Sequence, residues 1–154
     1  MPQRRGDQTS PIQVLPFSLE NLCTALPTPK TPLDDCPICK AIGGGGASLV
    51  KGGELEYDTI PDGVQNLTYF LRLGEYVETN WLERCPQCER LYYCENSYEF
   101  LIGGSEDYES CSIVSPEDVL KLAEVSWANA TGQGELHAYA DGTWAIFREP
   151  KSIR

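Results

Sequence analysis

The chain has 154 residues, 41% of them hydrophobic and 23% charged, with 12 Lys and Arg against 23 Asp and Glu for a formal net charge of −11. This balance suits a single globular domain with its own core, and no apolar run approaches the roughly 18 residues of a membrane-spanning helix. The acid excess disfavours a nucleic-acid backbone as partner and favours a basic protein surface.

Residues 1–16 carry Pro, Gln, Ser and Arg without periodicity and are predicted to be a flexible tail. Arg4 and Arg5 precede no apolar core of a signal peptide, so the expected compartment is the cytosol, that of a bacterium. Ser18 then offers an N-cap to a short helix with Leu19, Leu22, Cys23 and Leu26 at helical spacing, stopped by Pro27 and Pro29. Cys23 is expected on its apolar face as a small buried hydrophobe. The stretch GGGGASLVKGG, residues 43–53, lacks the Lys-Ser/Thr pair and following helix of a phosphate-binding loop. It reads as a mobile loop or tight turn.

Residues 65–73, QNLTYFLRL, alternate as a strand with Leu67, Tyr69, Leu71 and Leu73 on one face. Residues 75–84 continue as a second strand, and the Tyr-rich residues 89–102 return from it. Residues 103–110, GGSEDYES, read as a turn with Glu106 and Asp107 exposed on it. Ser115 and Pro116 open the clearest helix, with Glu117 and Asp118 complementing its dipole, Leu120, Ala123 and Trp127 on one face, and Val119 and Leu122 beside it. Asp141-Gly142 between two strand-like runs predicts a C-terminal hairpin.

Seven cysteines need an explanation, and four of them come as two C-P-x-C pairs: Cys36 with Cys39, and Cys85 with Cys88. An odd count with no route to an oxidising compartment disfavours a disulfide framework. The pairs also resemble a glutaredoxin-type redox motif, which needs the first cysteine at a helix N-terminus after a strand. Four glycines after the first pair and aromatic, strand-like sequence after the second argue against that. A single structural zinc ion explains both spacings, because two residues between thiolates let one turn present both sulfurs to a tetrahedral ion. Cys94, six residues after Cys88, or Cys111 could substitute as a ligand, and His137, the sole histidine, reads as a surface or packing residue.

The two pairs resemble the knuckles of zinc-ribbon proteins, in which two hairpin tips share one zinc. Residues 85–109, with tyrosines and then G-S-E-D, are similar to small bacterial zinc-ribbon-like proteins of uncharacterised function. The resemblance implies a fold element, not an activity, and this chain departs from common ribbons in having Lys40 and Glu89 where glycine follows the second cysteine. The expected fold is therefore α+β: one zinc-binding domain over residues 17–150 with an antiparallel sheet, a two-knuckle element, two or three short helices and a C-terminal hairpin, followed by a tail at 151–154.

No metalloprotease, P-loop, dinucleotide-binding or nucleophile-elbow motif occurs, and a closed four-thiolate site leaves no position for substrate. The expected function is non-enzymatic. Between Gly52 and Cys111 thirteen acids face only Arg72, Arg84 and Arg90. Tyr98, Glu106, Asp107, Tyr108 and Glu109 are the candidate contacts for a protein partner with a basic surface, as in an immunity, antitoxin-like or adaptor factor. Neither nucleic acid nor membrane is expected as a partner. The alternatives are a thiol-disulfide oxidoreductase using C-P-x-C and a nucleic-acid-associated zinc ribbon.

Overall fold

The structure, a computed structural model, describes residues 10–73, 80–102, 104–124 and 134–148. Strands β1 (Gln13–Pro16), β2 (Gly45–Lys51), β3 (Glu54–Asp58), β4 (Thr68–Leu73), β5 (Asn80–Arg84), β6 (Leu91–Leu101), β7 (Gly104–Val114), β8 (Gly134–Ala138) and β9 (Trp144–Arg148) join one sheet. Among the described residues three short α-helices accompany them: α1 (Leu19–Ala25), α2 (Pro37–Ile42) and α3 (Pro116–Leu122). The strand order is β1-β8-β9-β4-β5-β6-β7-β2-β3, antiparallel except for the β4–β9 pair. The α+β expectation, the mostly antiparallel sheet and the Asp141-Gly142 hairpin between β8 and β9 are all present. Among the described residues no helix is long and apolar enough to cross a membrane.

Side chains alternate across the sheet and divide it into two cores. Leu82 on β5 and Leu91 on β6 join Leu22 and Leu26 of the α1 segment and Val119 and Ala123 of the α3 segment on one side. Tyr92 and Cys94 on β6 and Cys111 on β7 face the other side, with Cys36, Cys39, Cys85 and Cys88. Ser18 caps α1 by accepting the Asn21 N–H at 3.0 Å, and Ser115 caps α3 by accepting the Asp118 N–H at 3.1 Å. Trp127 lies outside the described residues.

Several local expectations are corrected. Gln13–Pro16 pairs with β8 and so belongs to the sheet. Cys23 is exposed, because the seven-residue α1 packs through Leu19, Leu22 and Ala25 instead. The register of β4 shifts between Tyr69 and Leu71, a bulge that places Phe70 opposite no partner. Leu67 and Leu71 therefore belong to different cores, not to one face. The glycine-rich segment is neither mobile loop nor turn over most of its length, since Gly45–Lys51 forms β2 between β7 and β3. Turns flank it at both ends: Gly43 and Gly44 follow α2, and Gly52 and Gly53, with φ of 59° and 86°, suit a two-residue hairpin loop between β2 and β3.

Residues 104–110 are likewise strand, not turn. β7 runs from Gly104 with eleven residues in register against β6, from Leu101↔Gly104 to Leu91↔Val114. Its glycine start and alternating acids look turn-like, but cross-strand pairing to both β6 and β2 decides the outcome.

A candidate metal centre of four cysteines

Two chain segments 49 residues apart bring the paired cysteines together. Cys36 is the N-cap of α2, Pro37 occupies its first turn, and Cys39 follows three residues on. The glycines do not prevent this helix; they end it, with Gly43 at φ 68° and its N–H bonded to the Cys39 carbonyl at 2.9 Å. The sequence argument that no helix could follow Cys36 is thus corrected. Burial supplies another objection to redox chemistry: Cys36 is 1% exposed, whereas reactive thiols sit in partly accessible sites.

The second pair occupies the turn from β5 to β6. The Gln87 and Cys88 N–H groups point at Cys85 Sγ from 3.4 and 3.5 Å, and the Cys85 N–H closes onto the Arg90 carbonyl at 2.9 Å. Glu89 takes φ 68°, the left-handed conformation for which glycine would be the unstrained choice. Its carboxylate pairs with Lys30 at 3.1 Å, the Lys30 N–H donates to the Cys88 carbonyl at 2.8 Å, and Arg90 donates to the Thr31 carbonyl at 2.8 Å. These contacts fasten the segment leading to Cys36 onto the turn that carries Cys85 and Cys88.

Cys36 Sγ lies 3.6 Å from Cys85 Sγ, Cys39 Sγ lies 3.4 Å from Cys88 Sγ, and all four sulfurs fall within 4.8 Å of one another. Disulfide sulfurs would stand at about 2.05 Å. A tetrahedron with metal–sulfur bonds of about 2.3 Å has edges of about 3.8 Å. The cluster is metal-like in shape and can hold a metal ion.

Electrostatics gives the same picture. Burial pushes Cys39 up to about 12 and raises Cys88 as well. At Cys36 burial also opposes ionisation, but the Cys39 backbone N–H and the neighbouring thiols outweigh it and bring the group down to about 7. Protons alone therefore leave the cluster far short of four thiolates at neutral pH, and a bound cation would supply the compensating charge. The fully buried Tyr92 hydroxyl beside Cys39 lacks a hydrogen-bond partner of ordinary geometry. A thiolate there would be a stronger acceptor for it than a thiol.

Cys94 does not enter this cluster. It faces Cys111, with Sγ atoms 2.7 Å apart, and the two sulfurs lie within 4.8 Å of a Glu83 carboxylate oxygen. Burial raises Glu83, which accepts a hydrogen bond from the Trp81 indole at 3.0 Å. Sequence reasoning missed this pair because only the β6–β7 register discloses it. His137 remains a packing residue, bonded to Glu135 at 2.9 Å and stacked on Phe147 at 4.4 Å between centroids.

The five candidate partner contacts do not share one face. Tyr98 pairs across the ladder with Asp107, and both extend the side bearing Cys94, Cys111 and, by alternation, Glu109. Glu106 and Tyr108 point to the opposite side, Glu106 forming a 3.6 Å ion pair with Lys51. Phe100 and Ile102, outside the five candidate contacts, are the most exposed large apolar residues nearby, at 83% and 106%. No family model, curated protein or solved structure matches this chain.

Proposed function

We propose that this protein is a non-enzymatic interaction module organised by one structural zinc ion on Cys36, Cys39, Cys85 and Cys88. The observation that carries the metal is the convergence of four fully buried sulfurs at near-tetrahedral spacing. In this reading the β5–β6 turn acts as a zinc knuckle, and the start of α2 takes the place of a second one. Four protein ligands leave no open coordination position, which supports a structural role. Elemental analysis of protein purified without added metal should find about one equivalent of zinc. A folded, metal-free protein would remove the basis of the proposal.

The partner half rests on charge. No Lys or Arg occurs between Leu91 and Val114, while Asp107 and Glu109 lie on the Tyr98 side of the hairpin and Glu95, Glu99 and Glu106 on the other. The edge strand β3, one strand beyond β2, adds Glu54, Glu56 and Asp58, and its residues are exposed throughout. We take the recognised surface to be the face with Tyr98, Phe100 and Asp107, and its partner to be a protein with a basic patch, in an adaptor or immunity-like role. Association should then slow as salt rises, since the screening length falls to about 10 Å at 0.1 M. Asp107→Lys should cut the on-rate by several-fold, and Tyr98→Ala should mainly speed dissociation. Binding that ignores salt and both substitutions would place the interface elsewhere, and tight binding of duplex DNA at physiological salt would overturn the charge argument.

A further inference from the structure

Cys94 and Cys111 stand directly opposite one another in the β6–β7 ladder. The pairing class of that position follows from hydrogen bonds elsewhere on β7. The Ser105 carbonyl accepts from the Gly52 N–H, and the Ile113 N–H donates to the Gly44 carbonyl. Both residues thus turn their backbone groups away from β6, toward the β2 side. Backbone direction alternates along a strand, so Cys111, two residues before Ile113, also faces β2. Cys94–Cys111 is therefore a non-hydrogen-bonded cross-strand pair, the class whose Cα atoms approach to about 4.5 Å with side chains close together. That spacing lies at the short end of the range a disulfide can span. The sulfurs are already 2.7 Å apart.

We infer that Cys94 and Cys111 form an oxidation site, a dithiol that peroxide-class oxidants convert to a cross-strand disulfide. One thiol, as its thiolate, attacks a peroxide oxygen, the O–O bond breaks, and a sulfenic acid and the first water result. The second sulfur then attacks the sulfenic sulfur, the S–S bond forms, and the second water leaves. Two thiols lose two electrons and two protons, and one peroxide becomes two waters. Both cysteines are buried, at 3% exposure, so the oxidant reaches them through local opening of the hairpin. The pair also marks the point where the hairpin leaves the core. Beyond it Asn96, Tyr98 and Phe100 on the same face of β6 are exposed. A disulfide here would fasten the base of that segment without using the metal cluster, and it stands or falls independently of the zinc reading.

The experiment uses the full chain with its metal, carrying Cys23→Ser to remove the exposed lone thiol. Hydrogen peroxide should lower the mass by about 2 Da, peptide mapping should link 94 to 111, and metal content should not change. The midpoint of thermal unfolding should rise by about 5–10 °C, as expected for closing a loop of this length, and glutathione should reverse the change. Cys111→Ser should abolish both the mass loss and the shift. Mapping of the unaltered pair decides the matter even if that variant folds poorly. The inference is overturned if Cys94 and Cys111 stay reduced at a peroxide dose that oxidises Cys23 in the unsubstituted chain. Release of metal with linkage among Cys36, Cys39, Cys85 and Cys88 first, or a second equivalent of metal on Glu83, Cys94 and Cys111, would overturn it equally.

Discussion

Cys85→Ser is expected to unfold the domain, not merely to weaken a local site. Cys85 has no exposed surface, its Sγ receives two N–H groups of its own turn, and its neighbours come from the distant α2 segment. Metal binding energy is folding energy in such a site, about 10–16 kcal/mol for structural zinc in small domains. If the cluster holds zinc as proposed, losing one of its four ligands while burying a hydroxyl should cost more than the roughly 4–5 kcal/mol that marks an exceptional substitution. Circular dichroism and one-dimensional NMR would show loss of the fold, and a strong chelator should do the same to the unsubstituted protein. Cys23→Ser is the matched control and should change stability by no more than about 0.5 kcal/mol, because Cys23 is exposed. The pH dependence has a defined sign. A metal bound as proposed would have to displace the proton from Cys39, whose thiol is pushed up to about 12, so affinity should rise with pH across the neutral range. Below about pH 7 Cys36 is protonated as well, one more proton must be displaced, and affinity falls more steeply in acid. A Cys85→Ser protein that retains the fold and its cooperative unfolding would refute the structural role of the cluster.

The four-cysteine grouping was legible in sequence because C-P-x-C is a local geometric device, and Pro37 and the 85–88 turn act within a few residues of the sulfurs they aim. Helix caps at Ser18 and Ser115 and the Asp141-Gly142 turn were legible for the same reason. What failed was whatever depends on distant partners. Cys23 has helical spacing with Leu19 and Leu22, yet only the docking of α1 decides that its side faces water. Tyr69 and Leu71 alternate perfectly in sequence, but a bulge at Phe70 sends them to opposite sides. Residues 104–110 contain turn formers throughout, and their pairing to β2 as well as β6 is invisible locally. The same blindness hid Cys94–Cys111 and split the acidic contact residues over two faces.

Gly45→Ala is expected to be the most damaging of the glycine substitutions, and the reason lies in how β2 delivers α2 to the four-cysteine cluster. Gly45 begins β2, two residues after the helix carrying Cys36 and Cys39 ends at Gly43, and it pairs with Ser112 on β7. Its φ is +111°, a conformation side chains rarely adopt, and an added Cβ would lie 2.1 Å from the Cys111 carbonyl oxygen and 2.6 Å from Ser112 Cα. Both atoms are backbone, so β2 must move away from β7, and the helix with Cys36 and Cys39 must move with it. Strain of this kind costs about 1–3 kcal/mol before the lost pairing is counted, and the total should exceed about 3 kcal/mol. Two other glycines separate the contributions. Gly53→Ala meets open space but keeps a φ of +86°, so only conformational strain of about 1–2 kcal/mol applies. Gly44→Ala meets neither obstacle and should be neutral or stabilise by about 0.4–1 kcal/mol through the unfolded chain. Urea unfolding of the three variants should rank them 45, 53, 44 in order of loss, with weakened metal retention in the first alone. If Gly45→Ala unfolds at the same urea concentration as Gly44→Ala, β2 does not seat against Cys111 as described, and the path that brings Cys36 and Cys39 to the cluster must be redrawn.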